Sequence, residues 1–116
     1  MHILLVEDHQ DSRELLARCL TARGHEVVAA EDMRSAVCLL ENVRFDAIIS
    51  DIGLPDGTGY AIINAARRRG IHALGIAVSA FPFPEDVEEP GATGFQYHLN
   101  KPINCDHLCF LLEKTV

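Results

Sequence analysis

Short apolar runs rich in branched side chains recur along this chain, and a stretch with helical periodicity follows most of them. A run that is apolar at consecutive positions favours a strand buried on both faces, as in a parallel sheet with helices on either side. Four clear runs and a weaker fifth run occur at residues 3–6, 27–30, 47–50, 74–78 and 95–99. The sequence therefore predicts a sheet of five buried strands.

The segments between the runs place apolar residues three, four and seven positions apart, which is the spacing of one helix face. Asp11 with Glu14 indicates a capping box for the first helix, and Thr58 and Asn104 are candidate N-caps for later helices. Strand and helix patterns alternate five times. This order predicts one α/β domain over residues 1–116, a doubly wound (βα)5 fold with a five-stranded parallel sheet.

The fourth crossover, between residues 79 and 94, has the weakest helical pattern. Pro84 can open a helix, because its missing N–H costs nothing in the first turn. Pro90 and Gly91 should end that helix after one or two turns, since an interior proline costs about 3 kcal/mol. We therefore expect the fourth helix to be short or irregular.

The composition excludes several classes of protein. With 10 Lys and Arg against 17 Asp and Glu, the net charge of −7 argues against a surface built to bind nucleic acid phosphates or anionic lipid. No apolar stretch approaches the ~20 residues of a membrane span, and the start lacks the basic region and cleavage site of a secretory signal. We expect a cytoplasmic domain that neither spans a membrane nor contacts nucleic acid directly.

The four cysteines, which include no C-x-x-C pair, are Cys19, Cys38, Cys105 and Cys109. In a cytoplasmic chain the simplest interpretation is reduced thiols that pack as small apolar side chains. Cys105, His107 and Cys109 resemble a metal-ligand set, but on a helix His107 points away from the face that the two cysteines share. We therefore expect no metal at the cysteines.

Acidic, hydroxyl and basic side chains follow four of the apolar runs, at the point where each strand should end. In chain order they are Glu7, Asp8, Asp51, Ser79 and Lys101. In an open α/β sheet, ligands bind outside the carboxyl ends of the strands, so we expect these five side chains to converge at one edge. A single acid at a strand end is common, but the whole set in this order is rare by chance.

This set of residues has the chemistry of a metal-assisted phosphoryl acceptor. Three carboxylates in one place repel one another, and a hard divalent cation such as Mg²⁺ relieves that repulsion. Glu7, Asp8 and Asp51 contribute −3, while Mg²⁺ and Lys101 contribute +3. A carboxylate in this setting can attack phosphorus to form an aspartyl phosphate, and Ser79 can then donate a hydrogen bond to a phosphoryl oxygen.

Three polar residues near this set have simpler interpretations. Asp11 is assigned to a helix cap, Asp56 to the turn at residues 53–57, and His9 to the loop after the acid pair. Single polar residues in such places are usually caps or solvated loop residues. They are therefore not among the expected site residues.

With these residues in view, the chain resembles the receiver domain of two-component response regulators, from Ile3 to about Leu112. The motifs that carry the resemblance are Val6-Glu7-Asp8, DIGLPDGTG at residues 51–59, Val78-Ser79-Ala80 and Lys101-Pro102. The segments SDIGLPDG and GFQYHLNKP are most similar to the receivers of hybrid sensor histidine kinases. The resemblance implies the flavodoxin-like form of the doubly wound fold.

The resemblance implies that Asp51 accepts a phosphoryl group from a histidine kinase or a histidine phosphotransfer domain. It implies that Asp8, Asp51 and the backbone carbonyl of Gly53 bind Mg²⁺, with Mn²⁺ as a substitute, and that Glu7 binds the metal through water. Such a domain is not a classical enzyme, because it catalyses only its own phosphoryl transfer and a slow dephosphorylation. It then presents a changed surface to an output partner, with a homodimer as one further assembly.

Three positions of this chain correspond to the family's switch residues, and two of them have the family's usual residue types while one does not. Ser79 matches the family's Thr or Ser switch position, and Lys101 matches its phosphate-pairing lysine. Three residues before Lys101 the family usually has Tyr or Phe, whereas this chain has His98. The neighbouring Tyr97 cannot substitute, because successive strand side chains point to opposite faces. A histidine adds a titratable ring there, although a buried neutral ring is the simpler interpretation.

A second departure is the Pro90-Gly91 break, which lies in the crossover that family members often use to signal or to dimerise. We expect this segment to be mobile and to become ordered when the domain is phosphorylated or binds a partner. The usual output surface should therefore work differently in this chain.

Two other functions stay open at this point. The first is a phosphorylation-silent pseudo-receiver that acts only as a protein interaction module, and the complete set of site residues argues against it. The second is a nucleotide- or flavin-binding enzyme on a similar sheet. The absence of G-x-G-x-x-G and of G-x-x-x-x-G-K-[ST] after any of the strands argues against the second.

Overall fold

The computed structural model describes residues 1–80 and 94–114, and these residues contain seven strands. The strands are β1 (His2–Val6), β2 (Glu26–Ala30), β3 (Ala47–Asp51), β4 (Gly53–Leu54), β5 (Gly57–Thr58), β6 (Leu74–Ser79) and β7 (Tyr97–Asn100). Five of them form a parallel sheet in the order β2-β1-β3-β6-β7, and β4 pairs with β5 in a small antiparallel hairpin. The predicted doubly wound sheet of five parallel strands is confirmed.

The same residues contain four helices, namely α1 (Gln10–Ala22), α2 (Met33–Asn42), α3 (Gly59–Arg68) and α4 (Cys105–Lys114). α1 and α4 cover one face of the sheet, and α2 and α3 cover the other. The crossover at residues 81–93 lies outside the described residues, so its short helix and its mobility stay predictions. Within the described part of the chain, no helix has the length and apolar character needed to cross a bilayer.

Alternating side chains of the central strands divide the core between the two faces of the sheet. Ile3 and Leu5 pack towards α1 and α4, whereas Leu4 and Val6 pack towards α2 and α3. All four are at most 1% exposed. Full burial of one such side chain stabilises the fold by about 1.5–3 kcal/mol, so two-sided packing makes these strands the rigid centre of the domain.

The prediction of strands buried on both faces is right for the centre of the sheet and wrong for its edge. All five residues of β3 are buried, whereas Ala30 is the one buried residue of β2. β3 lies between two other strands and under both helix layers, while β2 has a strand on one side only. An apolar run therefore predicts that a strand exists, but it does not predict whether that strand is central or at the edge of the sheet.

Side-chain caps begin two of the helices as predicted. Thr58 accepts a hydrogen bond from a backbone N–H three residues on at 3.3 Å, and Asn104 does so at 3.1 Å. The capping box predicted at Asp11 is wrong. α1 begins two residues earlier than an Asp11 cap requires, because the His9 carbonyl accepts the first helical hydrogen bond, and no side chain caps this start.

Two of the four cysteines are paired. Cys19 on α1 and Cys105 at the start of α4 form a disulfide with Cα atoms 6.3 Å apart, which is within the usual range. Cys38 is free and exposed, and Cys109 is free and buried. The expectation of four reduced thiols is therefore wrong for this pair, because α1 and α4 pack side by side and bring together residues 86 positions apart.

The first residue of α3 has no room for a side chain. A methyl group at Gly59 would overlap the backbone oxygen of Asp51 and would come within 3.0 Å of Ser50 Oγ. We expect Gly59→Ala to lower the free energy of unfolding by about 1–3 kcal/mol, the usual cost of overpacking, despite the better helix propensity of alanine. Urea denaturation measures this loss.

Gly53→Ala is the matched control, because a methyl group at Gly53 would meet nothing within 4 Å. Its free energy of unfolding should stay within about 0.5 kcal/mol of the parent value. Equal stability of the two variants would contradict the close packing of α3 on the end of β3.

Candidate functional site

Hydrogen bonds continue the strand pairing past the carboxyl ends of the strands and fix the backbone of the candidate site. The Glu7 N–H donates to the Ala30 carbonyl at 3.0 Å, just beyond β1. The Lys101 N–H donates to the Ser79 carbonyl at 2.8 Å, just beyond β7. Asp51 is the last residue of β3, between β1 and β6. The sheet itself therefore positions these residues.

A lysine bridges two buried carboxylates at this edge. Lys101 Nζ donates to Glu7 Oε1 and Oε2 at 3.1 and 2.9 Å, and it lies 3.0 Å from Asp51 Oδ1. Glu7 and Asp51 are 1% and 4% exposed, whereas 25% of the Lys101 side chain is exposed. The structure thus brings together three residues that are far apart in the sequence.

The two carboxyls differ in their tendency to ionise. The pKa of Asp51 is raised to about 8, mainly by burial and then by the neighbouring Glu7 carboxyl, against the opposing effect of Lys101. Burial also opposes ionisation of Glu7, but contacts with Asp51 and Lys101 outweigh it and lower the pKa of Glu7. Burial disfavours the Lys101 ammonium, but the two carboxyls raise its pKa overall. A further positive charge nearby would therefore favour the ionised form of Asp51.

The carboxylate of Asp51 is incompletely satisfied. Both of its oxygens are buried, and neither accepts a hydrogen bond of regular geometry from the described residues. Lys101 Nζ is within ion-pair distance of Oδ1 only. Buried polar atoms without hydrogen bonds are rare in proteins, and they commonly mark a place where an ion or a reacting group completes the contacts.

Asp8 and His9 extend the acidic cluster towards solvent. The Asp8 side chain is 32% exposed, and His9 Nδ1 lies 3.3 Å from both Glu7 Oε1 and Asp8 Oδ1. Arg13 donates to the Glu7 carbonyl at 2.9 Å and so holds the backbone of the acid pair. His9 lies in the loop between β1 and α1, as expected, and its ring also contacts both acids. Its position directly after them in the sequence was the available signal.

The donor atoms at this edge fit a hard divalent cation. Atoms of Glu7, Asp8 and His9 that can bind a metal all lie within 4.8 Å of one another, and the unsatisfied oxygens of Asp51 add further oxygen donors. Gly53 begins the β4–β5 hairpin two residues after Asp51, in an exposed position. Mg²⁺ typically combines one or two carboxylates with water and phosphate oxygens, so this donor set suits it.

Ser79 is the last residue of β6 and lies at the same edge. It is half-buried, and its partner in the strand register is Asn100, the residue before Lys101. The hydrogen bond between the Ser79 carbonyl and the Lys101 N–H fixes the two backbones relative to each other. A hydroxyl group and an ammonium group therefore start from neighbouring points of the sheet.

His98 and Tyr97 take opposite faces of β7. The His98 ring lies 6.3 Å from the Phe95 ring, centre to centre, in an edge-on arrangement on the α2–α3 side. Tyr97 packs against the core under α1 and α4. Burial lowers the pKa of His98, which favours a neutral ring. Tyr97 therefore does not occupy the face that His98 occupies.

Asp56 stabilises a helix and is separate from the acidic cluster. Its carboxylate accepts hydrogen bonds from the Met33 and Arg34 N–H groups at 2.8 and 3.0 Å. It therefore caps α2 from the loop that follows β3, which is a larger structural role than the turn assigned to it. Asp11 is exposed in the first turn of α1.

Several known proteins are similar to this chain over nearly its whole length. A family model described as the response regulator receiver domain matches residues 3–113. Sensor histidine kinase AruS of Pseudomonas aeruginosa is 36% identical over 113 residues, covering 93% of this chain and 11% of the kinase. Sensor histidine kinase RcsC of Escherichia coli is 31% identical over 106 residues, covering 91% of this chain and 11% of the kinase. The chain thus spans a small part of these two relatives.

The chemotaxis response regulator CheY4 of Vibrio cholerae has a closely similar solved structure. It superposes with a TM-score of 0.88 at 30% sequence identity, covering 99% of this chain and 98% of that chain. The flavodoxin-like fold and the similarity to receivers of sensor histidine kinases, both predicted from the motifs, are confirmed. Since the family model covers almost every residue, the chain belongs to the response regulator receiver domain family.

Proposed function

We propose that this chain accepts a phosphoryl group on Asp51, in a Mg²⁺-dependent reaction, from a histidine kinase or a histidine phosphotransfer domain. The observation that carries the proposal is the buried Asp51 carboxylate, which lies beside Lys101 with both oxygens lacking hydrogen bonds from the described residues. Membership in the receiver family supports this role, and the similarity to sensor histidine kinases supports the donor. The reaction takes place in the cytoplasm.

The reaction requires an ionised Asp51 that attacks phosphorus. One Asp51 oxygen forms a bond to the phosphorus of the donor phosphohistidine, the phosphorus–nitrogen bond breaks, and its electron pair stays on the imidazole nitrogen. Lys101 Nζ, 3.0 Å from Asp51 Oδ1, offsets negative charge on the transferred oxygens. Without a further cation, burial and the neighbouring Glu7 carboxyl raise the pKa of Asp51 and so favour its protonated form.

Glu7, Asp8, Asp51 and the Gly53 carbonyl are the groups that would hold Mg²⁺, or Mn²⁺ as its substitute. When bound, the metal supplies positive charge that favours the ionised Asp51 and offsets the charge of the phosphoryl group. The three carboxylates contribute −3, and the metal with Lys101 contributes +3. The same residues that repel one another in the metal-free protein therefore form a neutral site with the metal.

In this proposal, Ser79 and His98 are the residues through which phosphorylation of Asp51 changes the surface of the domain. The Ser79 hydroxyl donates a hydrogen bond to a phosphoryl oxygen once the phosphoryl group is attached to Asp51. This new contact pulls the end of β6 towards the phosphoryl group. His98, neutral and packed near Phe95, fills the position that an aromatic ring fills in the family. The changed surface then contacts an output partner or a second copy of the chain.

Acetyl phosphate with Mg²⁺ should add one phosphoryl group to the chain, and Asp51→Asn should abolish the addition, because an amide is not a nucleophile of this kind. Intact-mass spectrometry measures the gain. Asp46→Asn is the matched control and should keep full phosphorylation. Asp46 flanks the other end of β3 and accepts a hydrogen bond from the His2 N–H at 2.7 Å.

A folded chain that gains no phosphoryl group in this assay, yet binds a partner protein, would be a phosphorylation-silent interaction module. Phosphorylation that persists in Asp51→Asn would instead place the acceptor on another residue. Either result contradicts the proposed function.

Asp8→Asn should weaken Mg²⁺ binding by at least about tenfold, because it removes a charged ligand from the acidic cluster. Isothermal titration calorimetry of the metal-free protein with MgCl₂ measures the affinity. Asp11→Asn changes the same charge in the first turn of α1, where the side chain is exposed, and it should bind Mg²⁺ like the parent. Equal loss in both variants would indicate a long-range charge effect and no ligand at Asp8.

The contribution of Asp51 to the stability of the metal-free protein should fall as pH rises from 5 to 8. Comparison with Asp51→Asn separates it from the contributions of His25 and His98, whose lowered pKa values act in the opposite direction. The pKa of Asp51 is raised from 3.8 to about 8, so across this range the folded chain keeps a proton that the unfolded chain releases. Glu7 does not contribute to this change, because its lowered pKa alters stability only below the ordinary glutamate pKa of 4.5. Asp51→Asn removes the effect, and its stability advantage should widen by about 1–3 kcal/mol over the range. Urea denaturation in EDTA tests this, and an advantage that is constant with pH would contradict it.

A further inference from the structure

Three of the four cysteines lie together where α1 packs against α4. Cys19 and Cys105 form the disulfide, and the sulfur atoms of Cys19, Cys105 and Cys109 all lie within 4.8 Å of one another. Cys109 is fully buried with a free thiol, whereas the two bonded cysteines are partly buried. Cys38 is exposed on α2, which covers the other face of the sheet.

We propose that Cys19 and Cys105 form a reversible thiol oxidation site whose state controls phosphoryl uptake at Asp51. The thiol chemistry stands on the cysteine geometry alone. Its effect on phosphoryl uptake rests on the proposed function. The two parts are therefore tested by separate measurements.

The oxidant in this proposal is a small disulfide such as glutathione disulfide. The Cys105 thiolate attacks one sulfur of the oxidant and releases a glutathione thiolate, since Cys105 begins α4, where helix N–H groups favour negative charge. The Cys19 thiolate then attacks the Cys105 sulfur of the mixed disulfide and releases the second glutathione. Two electrons pass from the cysteines to the oxidant, and the two thiol protons end on the two glutathione molecules. Excess glutathione reverses both steps.

Burial separates the two exchanging cysteines from Cys109. Cys109 is fully buried, and burial raises the pKa of its thiol, so it stays protonated and out of reach of a reagent in solution. Cys19 and Cys105 are open to solvent in part. The site therefore consists of two exchangeable sulfurs above an unreactive third thiol.

The disulfide anchors the segment that carries Lys101. Lys101 follows β7 directly, and Cys105 comes four residues later, so the segment is held by the sheet at one end and by α1 at the other. Between these anchors, Pro102 and Ile103 line a cavity of about 400 Å³ with Leu15 and Leu16 of α1. This space lets the segment move when the second anchor is released.

An ion pair between Arg23 and Asp106 also joins the end of α1 to α4, but both side chains are largely exposed. Exposed ion pairs of this kind contribute little, so the disulfide and the buried apolar contacts between α1 and α4 are what join the two helices. Reduction therefore loosens the position of Lys101 relative to Glu7 and Asp51.

The thiol reaction is tested on the full chain without a phosphoryl donor. The protein is equilibrated in glutathione buffers of graded ratio, quenched with acid, alkylated and mapped by peptide mass spectrometry. We expect a linked Cys19–Cys105 peptide under oxidising conditions that disappears under reducing conditions. Cys19→Ser and Cys105→Ala should each abolish the linked peptide, and Cys38→Ser should leave its transition unchanged.

Three results would overturn the thiol site. A pair that stays linked at every ratio is a permanent bond, and a pair that never links is a packed thiol pair. Retention of one zinc or copper ion by the reduced protein, lost in the Cys109→Ser variant, would assign the cluster to metal binding.

The control of phosphoryl uptake is tested with acetyl phosphate and Mg²⁺ on the oxidised and the reduced chain. We expect the reduced chain to be slower by about two- to tenfold, which is a common size for coupling between neighbouring sites. Cys19→Ser should be slow under both conditions, and Cys38→Ser should respond like the parent. Equal rates in the two redox forms would overturn the control. Absence of uptake in both forms, with an intact thiol transition, would refute the proposed function and leave the thiol oxidation standing.

Discussion

The contact between Lys101 and the buried carboxylates of Glu7 and Asp51 is the interaction on which the rest of the site depends. Two carboxyls face one ammonium in a region of low dielectric, so only one negative charge is fully offset. This imbalance raises the pKa of Asp51 and leaves its oxygens without regular hydrogen bonds from the described residues. The site therefore holds more carboxyl groups than the ammonium can offset, and this imbalance supports the metal-assisted acceptor proposed above.

The sheet supplies the stability that such a cluster removes. Buried ionic groups are commonly less favourable than apolar residues of similar size, so retaining Glu7 and Asp51 costs stability. β3 is buried along its whole length between β1 and β6, and helices pack on both faces. The strands thus hold mutually repelling side chains at their ends because apolar packing fixes the strands themselves.

Features of the fold and site that depend on local sequence pattern could be predicted from the sequence, whereas features that depend on side-chain packing could not. Buried strands produce apolar runs and loops follow strands, so the positions of Glu7, Asp51 and Lys101 at one edge could be predicted. The contact of His9 with two acids depends on a side-chain direction that no periodicity encodes. The Cys19–Cys105 bond depends on which helices share a face, and neither spacing nor composition indicates that.

Strand β7 connects the candidate site with both helix layers. Lys101 follows this strand, His98 packs near Phe95 on the α2–α3 side, and Tyr97 packs towards α1 and α4. All but one of its four residues are half-buried and the last is exposed, as expected of an edge strand with one neighbour. An edge strand can shift at lower cost than β3, because fewer buried contacts must break. When Lys101 changes its contacts, a shift of β7 can therefore alter the packing on both faces of the domain.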